Sequence, residues 1–326
     1  MKKRSVYLFC AALVMLAGCA KGHQAKAPIK IAINVWPGCA YAFIAQEKGY
    51  FKKNGVDVQL VLDQDYSLST KRYMNGEVDG ILEVYTEAIL QNSQGVPTQT
   101  VYVSDYSVTG DVIMGRPEFK VLADLKGKKV SIEGINTFSH LFVLTALSNA
   151  GIKEEDMRFA VVPAQEVFSA LKSGQIDAGH TYEPTKSRAL QAGYKILGSA
   201  GDVLGVITDV LAFNESVIKK RPGEIKAIVR AMLEAREFVY SNRKEAVTIM
   251  SKAEGMTQGE MEQGLNGVIQ PGLEGNMKAM HKGDKATSLF VSGKMIVDFY
   301  LERGQLSVLP DLDKIIDSEF IEELNK

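Results

Sequence analysis

The feature that most constrains the fold is a repeat of short motifs at a constant distance. The segment Asn75–Gly80 (NGEVDG) resembles Ser173–Ala178 (SGQIDA), and the aspartates within the two segments lie 98 residues apart. The residues around Asp111 resemble those around Asp209, again at a distance of 98 residues. Matches that keep their order and spacing favour two lobes of similar build, each of ordinary domain size. Chance alignment is the alternative, because each match is short.

Strand and helix patterns alternate along most of the chain. Residues 29–35 alternate apolar and polar side chains, as a strand does, and residues 40–48 have the apolar spacing of a helix. The alternation continues to residue 103 and restarts at Val130. This order predicts an α/β fold with helices on both faces of the sheets.

The repeat also predicts how the lobes divide the chain. We expect residues 29–110 and 212–326 to form lobe 1 and residues 111–211 to form lobe 2. Two crossing strands would then join the lobes and allow a cleft between them to close on a ligand. An amphipathic helix is predicted over 222–242, with its apolar face packed on the first lobe.

The N-terminus has the pattern of a lipoprotein signal. A basic start, Lys2 to Arg4, precedes an apolar run that is too short to span a bilayer, and the run ends in Leu16-Ala17-Gly18-Cys19. We expect residues 1–18 to be removed, Cys19 to carry lipid, and residues 19–28 to form a tether. An ordinary secretory signal with a chance cysteine is the alternative. This pattern predicts a lipid-anchored protein outside the cytoplasm, in the periplasm or on the outer face of the membrane.

Charge and cysteine content exclude several classes. Loss of Lys2, Lys3 and Arg4 with the signal changes the formal net charge from −1 to −4, which excludes a basic nucleic-acid surface. Of the three cysteines, only Cys39 would stay in the folded part, so an internal disulfide is excluded. The four histidines are widely spaced and no hydrolase or nucleotide motif is present, so we predict no enzyme activity, cofactor or metal site.

Ligands of open α/β sheets bind beyond the carboxyl ends of the strands, where helices begin. Five predicted loops meet that description: 36–41, 66–70, 83–87, 134–140 and 180–183. The side chains that we expect to bind the ligand are Trp36, Tyr41, Ser67, Glu83, Asp111, Thr137, Ser139, Glu183 and Asp209. Each also has a structural alternative. For example, the role of Trp36 could be limited to packing between the lobes, and Asp111 and Asp209 could form hydrogen bonds within the hinge.

The residue types in these loops indicate the ligand's charge. Hydroxyl groups and helix starts in 66–70 and 134–140 favour an anionic group, whereas several carboxylates favour a cationic nitrogen. Trp36 or Tyr41 could add a cation–π contact. Because these loops contain no lysine or arginine, an amine or a zwitterion fits better than a sulfonate or nitrate.

A family resemblance adds to this reading. The stretch KIAINVWPGCAYAFIAQEKGYFKKNGVDVQLV resembles the opening of solute-binding proteins of the nitrate/sulfonate/taurine and thiamine-precursor class. The motifs Gly76–Asp79, Leu125–Val130 and Leu171–Ala178 fit the same class, and the resemblance runs from about Ile29 to about Asn214. It implies a type II periplasmic-binding-protein fold that serves an ABC importer.

The resemblance leaves the partner open. We expect a monomer that delivers its ligand to an ABC permease. The alternative is a ligand-sensing lipoprotein that reports to a membrane sensor or receptor, and a weaker one is a binder of sulfonate- or nitrate-type anions. A relative of this class makes the thiamine pyrimidine with a cysteine-rich run, and this chain has no such run.

Overall fold

The computed structural model describes residues 26–326. The predicted signal peptide at 1–18, the lipidated Cys19 and most of the predicted tether lie outside these residues. At the start of the described chain, Lys26 pairs with Glu224 at 2.7 Å, and the Ala27 carbonyl accepts a hydrogen bond from Arg221.

Strands and helices alternate as predicted. The strands are β1 (Ile29–Asn34), β2 (Val58–Asp63), β3 (Gly80–Val84), β4 (Thr98–Ser107), β5 (Val112–Gly115), β6 (Lys129–Ile132), β7 (Arg158–Val161), β8 (Ala178–Thr181), β9 (Lys195–Ser199), β10 (Thr208–Asn214) and β11 (Val268–Ile269). The helices are α1 (Tyr41–Glu47), α2 (Tyr50–Lys53), α3 (Tyr66–Met74), α4 (Tyr85–Ser93), α5 (Phe138–Asn149), α6 (Val167–Ser173), α7 (Thr185–Gln191), α8 (Glu215–Lys220), α9 (Pro222–Ser241), α10 (Arg243–Glu254), α11 (Gln258–Asn266), α12 (Leu273–Ala279), α13 (Leu289–Glu302), α14 (Leu312–Ile315) and α15 (Glu319–Leu324).

Two sheets of matching topology organise the molecule. The six-stranded sheet has the order β11-β4-β10-β3-β1-β2, and the five-stranded sheet has the order β7-β6-β8-β5-β9. In the first, β1 is parallel to β2 and β3, and β10 is antiparallel to β3 and β4. In the second, β6 is parallel to β7 and β8, and β5 is antiparallel to β8 and β9. Strands β5 and β10 therefore hold equivalent positions.

The repeated aspartates hold equivalent positions too. Asp79 accepts a hydrogen bond from the backbone of Lys30 at 2.8 Å, and Asp177 accepts one from the backbone of Lys129 at 2.9 Å. Each aspartate fixes the start of its lobe's first strand against the turn before the third strand. The sequence repeat thus corresponds to equivalent positions in the two sheets, and both carboxylates accept hydrogen bonds from the backbone.

Two segments connect the sheets. The first, between β4 and β5, is held by one acceptor: the backbone N–H groups of Val108, Thr109 and Gly110 all donate to the Gly267 carbonyl, at 2.9, 2.9 and 3.0 Å. The second precedes β10, and all of β10 pairs within the six-stranded sheet. The lobe boundaries at 110 and 212 stay a prediction, and this pairing favours placing the second crossing before Thr208.

The C-terminal helices cover the six-stranded sheet. Helix α9 buries Ile225, Ile228, Val229 and Met232 on one face, which agrees with the amphipathic pattern of the sequence. This face packs on α1, so the last third of the chain supports the loop that follows β1. Within residues 26–326, no helix is both long and apolar enough to cross a bilayer.

Candidate functional site

The ends of strands from both sheets meet around a small space, the inner chamber. Its volume is about 20 Å³, which is room for about one water molecule. The residues that line it are Asn34, Trp36, Tyr66, Val84, Asp111, Phe138, Tyr182, Ile207 and Asp209. Several of these residues lie at the carboxyl end of a strand, where ligands of such sheets bind: Trp36 comes after β1, Val84 ends β3 and Tyr182 comes after β8.

Aromatic rings from the two lobes face each other across the chamber. Trp36 and Tyr182 make an edge contact with ring centroids 5.6 Å apart. Tyr66 and Phe138 make a second one at 5.2 Å. The chamber is therefore bounded by π systems, which attract a cation through their negative faces.

Asp111 is oriented by a buried chain of hydrogen bonds. Its Oδ1 atom lies 2.8 Å from His180 Nε2, and His180 Nδ1 lies 2.8 Å from Ser139 Oγ. Ser139 Oγ also accepts the backbone N–H of Glu133 at 3.0 Å, so its own hydrogen can be donated to His180 Nδ1. His180 then donates from Nε2 to Asp111. This arrangement fixes Asp111 Oδ1 and leaves Asp111 Oδ2 buried with no partner among the described residues.

The loop after β1 is fixed by buried carboxylates. The Trp36 indole N–H donates to Asp105, with distances of 3.2 and 3.3 Å to its two oxygens, and the Trp36 backbone N–H donates to Glu254 at 3.1 Å. A Cβ atom on Gly38 would lie 2.4 Å from Asp105 Oδ2 and from the indole nitrogen. Glycine at this position therefore permits the Trp36–Asp105 contact.

The site is strongly acidic. The Asp209 carboxylate is 7% exposed and accepts no side-chain or backbone hydrogen bond within residues 26–326. Burial raises its pKa well above the usual range, and the charges of Asp105 and Asp111 raise it further. Burial also raises the pKa of Asp105 to about 8. These carboxylates are poorly solvated and repel one another, so a positive charge among them would be stabilised.

A larger space, the outer chamber, adjoins the inner one. Its volume is about 300 Å³, and its walls are Asp65, Tyr66, Ser67, Thr70, Lys71, Glu87, Glu133, Thr137, Phe138 and Pro163. Tyr66 and Phe138 border both chambers. Burial raises the pKa of Glu87 to about 7, with a further contribution from the charge of Glu133. The volume is in the range of small-molecule sites.

The structure brings together five of the nine predicted ligand-binding residues. Trp36, Asp111 and Asp209 line the inner chamber, and Ser67 and Thr137 line the outer one. Contact of each with a ligand stays a prediction.

The other four predicted residues do not reach the wall of either chamber. Tyr41 is in the core, with its hydroxyl 3.0 Å from that of Tyr102. Glu83, in β3, is buried and accepts a hydrogen bond from the Gln91 side chain at 2.7 Å. Ser139 stands behind Asp111, in the hydrogen-bond chain through His180. Glu183 is paired with the buried Lys186 at 3.2 Å, so its charge is already balanced.

Other wall residues were in predicted loops but were not singled out. Tyr66, Phe138 and Tyr182 are aromatic residues at the point where a strand or loop leads into a helix, and that position could have indicated them. Glu87 lies in a predicted loop, and Glu133, beside another, was one of the carboxylates that favoured a cationic ligand but was not among the predicted binding residues. His180 could not be identified, because its role depends on contacts with Asp111 and Ser139, which are distant in sequence. In the described part of the chain, no three His, Cys, Asp or Glu side chains are arranged to hold a metal ion.

Comparison with known proteins identifies relatives along most of the chain. The family model described as NMT1/THI5 like matches residues 36–246. A protein of Brucella abortus that carries the provisional name of a binding protein is 25% identical over 257 residues, which are 77% of this chain and 79% of that protein. A 4-amino-5-hydroxymethyl-2-methylpyrimidine phosphate synthase of Saccharomyces cerevisiae is 26% identical over 220 residues, which are 63% of this chain and 64% of the synthase.

Solved structures share the whole architecture. The ligand-binding component of an ABC-type import system from Staphylococcus aureus, solved with zinc bound, has a TM-score of 0.75 at 17% identity and covers 91% of this chain and 99% of its own. The periplasmic aliphatic sulphonate-binding protein of Escherichia coli has a TM-score of 0.73 at 18% identity, covering 90% and 98%. These similarities confirm the predicted periplasmic-binding-protein fold.

Proposed function

From the premise that this chain belongs to the NMT1/THI5-like family, we propose that it is a solute-binding protein that captures a small cationic amine between its lobes. The observation that carries the proposal is the unpartnered Asp111 Oδ2 atom in the wall of the inner chamber. A buried carboxylate oxygen without a donor is costly, and an ammonium group would supply the missing hydrogen bond and charge.

The surroundings of Asp111 support a cation. Asp209 lies in the same wall without a donor, and the aromatic rings of Trp36, Tyr66 and Tyr182 line the space between them. No lysine or arginine is among the residues that line the inner chamber, so no positively charged side chain there would bind an anion. This contrast separates the proposed ligand from the sulphonate for which the structural relative is named.

We propose that the protein is not an enzyme, although yeast relatives are named as synthases. The one cysteine near the site, Cys39, is 1% exposed, and its thiol hydrogen points toward the Trp36 carbonyl at 3.7 Å. Burial raises the pKa of Cys39 well above the usual range, and the charge of Asp209 raises it further. The thiolate, which is the reactive form, is therefore disfavoured.

We propose also that lipid at Cys19 holds the protein outside the cytoplasm, where it delivers its ligand to an ABC permease. The N-terminal sequence pattern supports the anchor, and the ABC-type import component among the structural relatives supports the partner. Mass spectrometry of the membrane fraction tests the anchor: a diacylglyceryl-modified N-terminal Cys19 peptide is expected, and it should be lost in Cys19→Ala.

A thermal-shift screen of the purified protein tests the ligand class. The panel contains primary amines, amino acids, alkanesulfonates and nitrate. A ligand at 100 times its Kd stabilises the fold by about 2.7 kcal/mol. We expect shifts with amines that disappear in Asp111→Asn and Asp209→Asn but persist in Asp57→Asn, a matched change at an exposed aspartate.

Shifts confined to sulfonates or nitrate, and retained in both cleft variants, would falsify the proposal. Release of a chemically altered product from any bound compound would instead contradict the assignment as a binding protein.

A further inference from the structure

We propose that the ligand carries two positive charges: an unsubstituted ammonium group in the inner chamber and a second amino group in the outer chamber, facing Glu87 and Glu133. The proposal deepens the function given above and rests on it. It is carried by the different sizes of the two chambers and by the carboxylates in each.

The inner chamber selects a small charged group. Its volume of about 20 Å³ matches one water-sized group, and an ammonium group is of that size. Its three N–H donors can be shared between Asp111 Oδ2 and Asp209, which otherwise have no donors in the described structure. A trimethylammonium group is several times larger and has no N–H donor, so it satisfies neither carboxylate.

The outer chamber contains a second pair of unneutralised carboxylates. Glu87 makes no hydrogen bond or ion pair with any of residues 26–326, although it lines the chamber and is partly buried. Glu133 accepts from Ala164 and Tyr182 through Oε1, but its Oε2 atom is shielded from solvent and has no partner. The one basic residue in the wall, Lys71, is exposed and makes no ion pair with either glutamate. A positive charge between these glutamates would be bound by both.

The hydrogen-bond donors of the outer chamber argue against a zwitterion. The backbone N–H of Ser67, at the start of α3, already donates to Asp65 at 2.8 Å. The Thr137 hydroxyl, at the start of α5, already donates to the Gly134 carbonyl at 2.9 Å. A carboxylate placed here would meet two glutamates and find these two donors occupied, which leaves it the Ser67 hydroxyl and the exposed Lys71.

The two rings that the chambers share would lie beside an apolar linker. Tyr66 and Phe138 border both spaces, and their rings meet edge to face at 5.2 Å. Methylene groups that connect two amino groups would pass beside these rings and bury apolar surface there. The ligand class is therefore a short aliphatic or flat diamine.

Three probes of equal chain length test the proposal by isothermal titration calorimetry: 1,4-diaminobutane, 1-aminobutane and 4-aminobutanoate. We expect the diamine to bind at least about tenfold more tightly than the monoamine, which corresponds to about 1.4 kcal/mol. The zwitterion should bind most weakly. In Glu87→Gln the ratio of diamine to monoamine affinity should fall to about twofold, because diamine affinity falls by more than monoamine affinity.

The variants separate this proposal from the one on which it rests. Asp111→Asn should weaken the diamine and the monoamine alike, and Asp57→Asn should change neither. Equal affinities for diamine and monoamine, or tighter binding of 4-aminobutanoate, would overturn the second subsite and leave the amine site intact. Binding of none of the three probes would overturn both. Because Glu87 has no partner to lose, Glu87→Gln should melt at no lower a temperature than the parent protein, which its melting curve checks.

Discussion

At the scale of single residues, the site depends on an aspartate whose two oxygens have different surroundings. His180 holds Asp111 Oδ1, and Ser139 in turn holds His180, so Oδ1 is fixed while Oδ2 has no partner, in a residue that lines the chamber. A carboxylate that could rotate would satisfy both oxygens from the protein and would bind a ligand less strongly. The side chain that confers this property, Ser139, never touches the chamber.

Ser139→Ala should therefore reduce both stability and binding. The substitution leaves the Glu133 N–H and His180 Nδ1 without their partner, and an unsatisfied buried polar group costs about 1–3 kcal/mol. We expect the free energy of unfolding, measured with urea, to fall by that amount. Affinity for amines, measured by titration calorimetry, should fall as well.

Ser148→Ala is the matched control, because Ser148 lies on the same helix and is exposed. It should change the free energy of unfolding by no more than about 0.5 kcal/mol. If the two variants were equally stable and bound amines alike, the role given to Ser139 would be wrong.

At the scale of elements, the loop after β1 connects the core to the site. Its tryptophan donates hydrogen bonds to Asp105 from the indole N–H and to Glu254 from the backbone N–H. The Gln270 side chain donates to the Gly38 carbonyl at 2.7 Å. Trp36 is also the only tryptophan in the chain, so its fluorescence reports on this loop alone.

Gly38→Ala tests how closely the loop is packed. The new methyl group would overlap the Trp36–Asp105 contact at 2.4 Å, and overpacking of this kind costs about 1–3 kcal/mol. We expect lower stability in urea and a shift of the tryptophan emission toward longer wavelength. Gly259→Ala, in α11 where no atom lies within 4 Å, should leave the emission unchanged and raise stability slightly. An unchanged emission spectrum in Gly38→Ala would show that the loop accommodates the methyl group without displacing Trp36, which would contradict the close packing.

The elements themselves could be predicted from sequence, because apolar periodicity and glycine positions are local signals. The helix predicted over 222–242 is α9 at Pro222–Ser241, and the strand predicted over 29–35 is β1 at Ile29–Asn34. The loops that form the site were predicted for the same reason. Which side chains face the ligand was less predictable. Glu83 is adjacent to the wall residue Val84, and Tyr41 ends the loop that contains Trp36, but both are buried in the core, since the direction of a side chain depends on packing between distant segments.

At the scale of the whole molecule, the balance of charge inside the cleft differs from that on the surface. Surface carboxylates such as Glu224 and Glu274 are paired with cations that lower their pKa. Carboxylates of the cleft and its supporting loop have no such neighbours, and burial raises the pKa of Asp105 to about 8, of Glu254 to about 8 and of Glu87 to about 7.

The ligand-free protein should therefore lose stability as the pH rises. Between about pH 4 and pH 8 the folded state binds more protons than the unfolded state, whose carboxyl groups titrate near 4, so the free energy of unfolding decreases with pH. Denaturation in urea at pH 5.5, 7.0 and 8.5 should show a steady fall. The paired surface carboxylates, whose pKa is lowered, change the free energy of unfolding only at pH values below this range.

The decrease in the free energy of unfolding with pH should be smaller in Glu87→Gln. It should also be smaller when a bound amine neutralises the carboxylates of the cleft. Asp57→Asn, at an exposed position, should follow the parent protein. Stability that rises from pH 5.5 to 8.5 would show that these carboxyl groups are not held protonated by burial.

The carbonyl of Gly267 has a consequence for how easily the lobes can separate. An oxygen with two lone pairs receives three N–H groups from the first crossing segment, so the three bonds cannot all be ideal at once. When the segment rotates, one amide can approach as another recedes, and the oxygen keeps a donor throughout. We therefore expect these three bonds to resist rotation of the crossing segment weakly, and the edge contacts between the facing rings to contribute more of the resistance to opening.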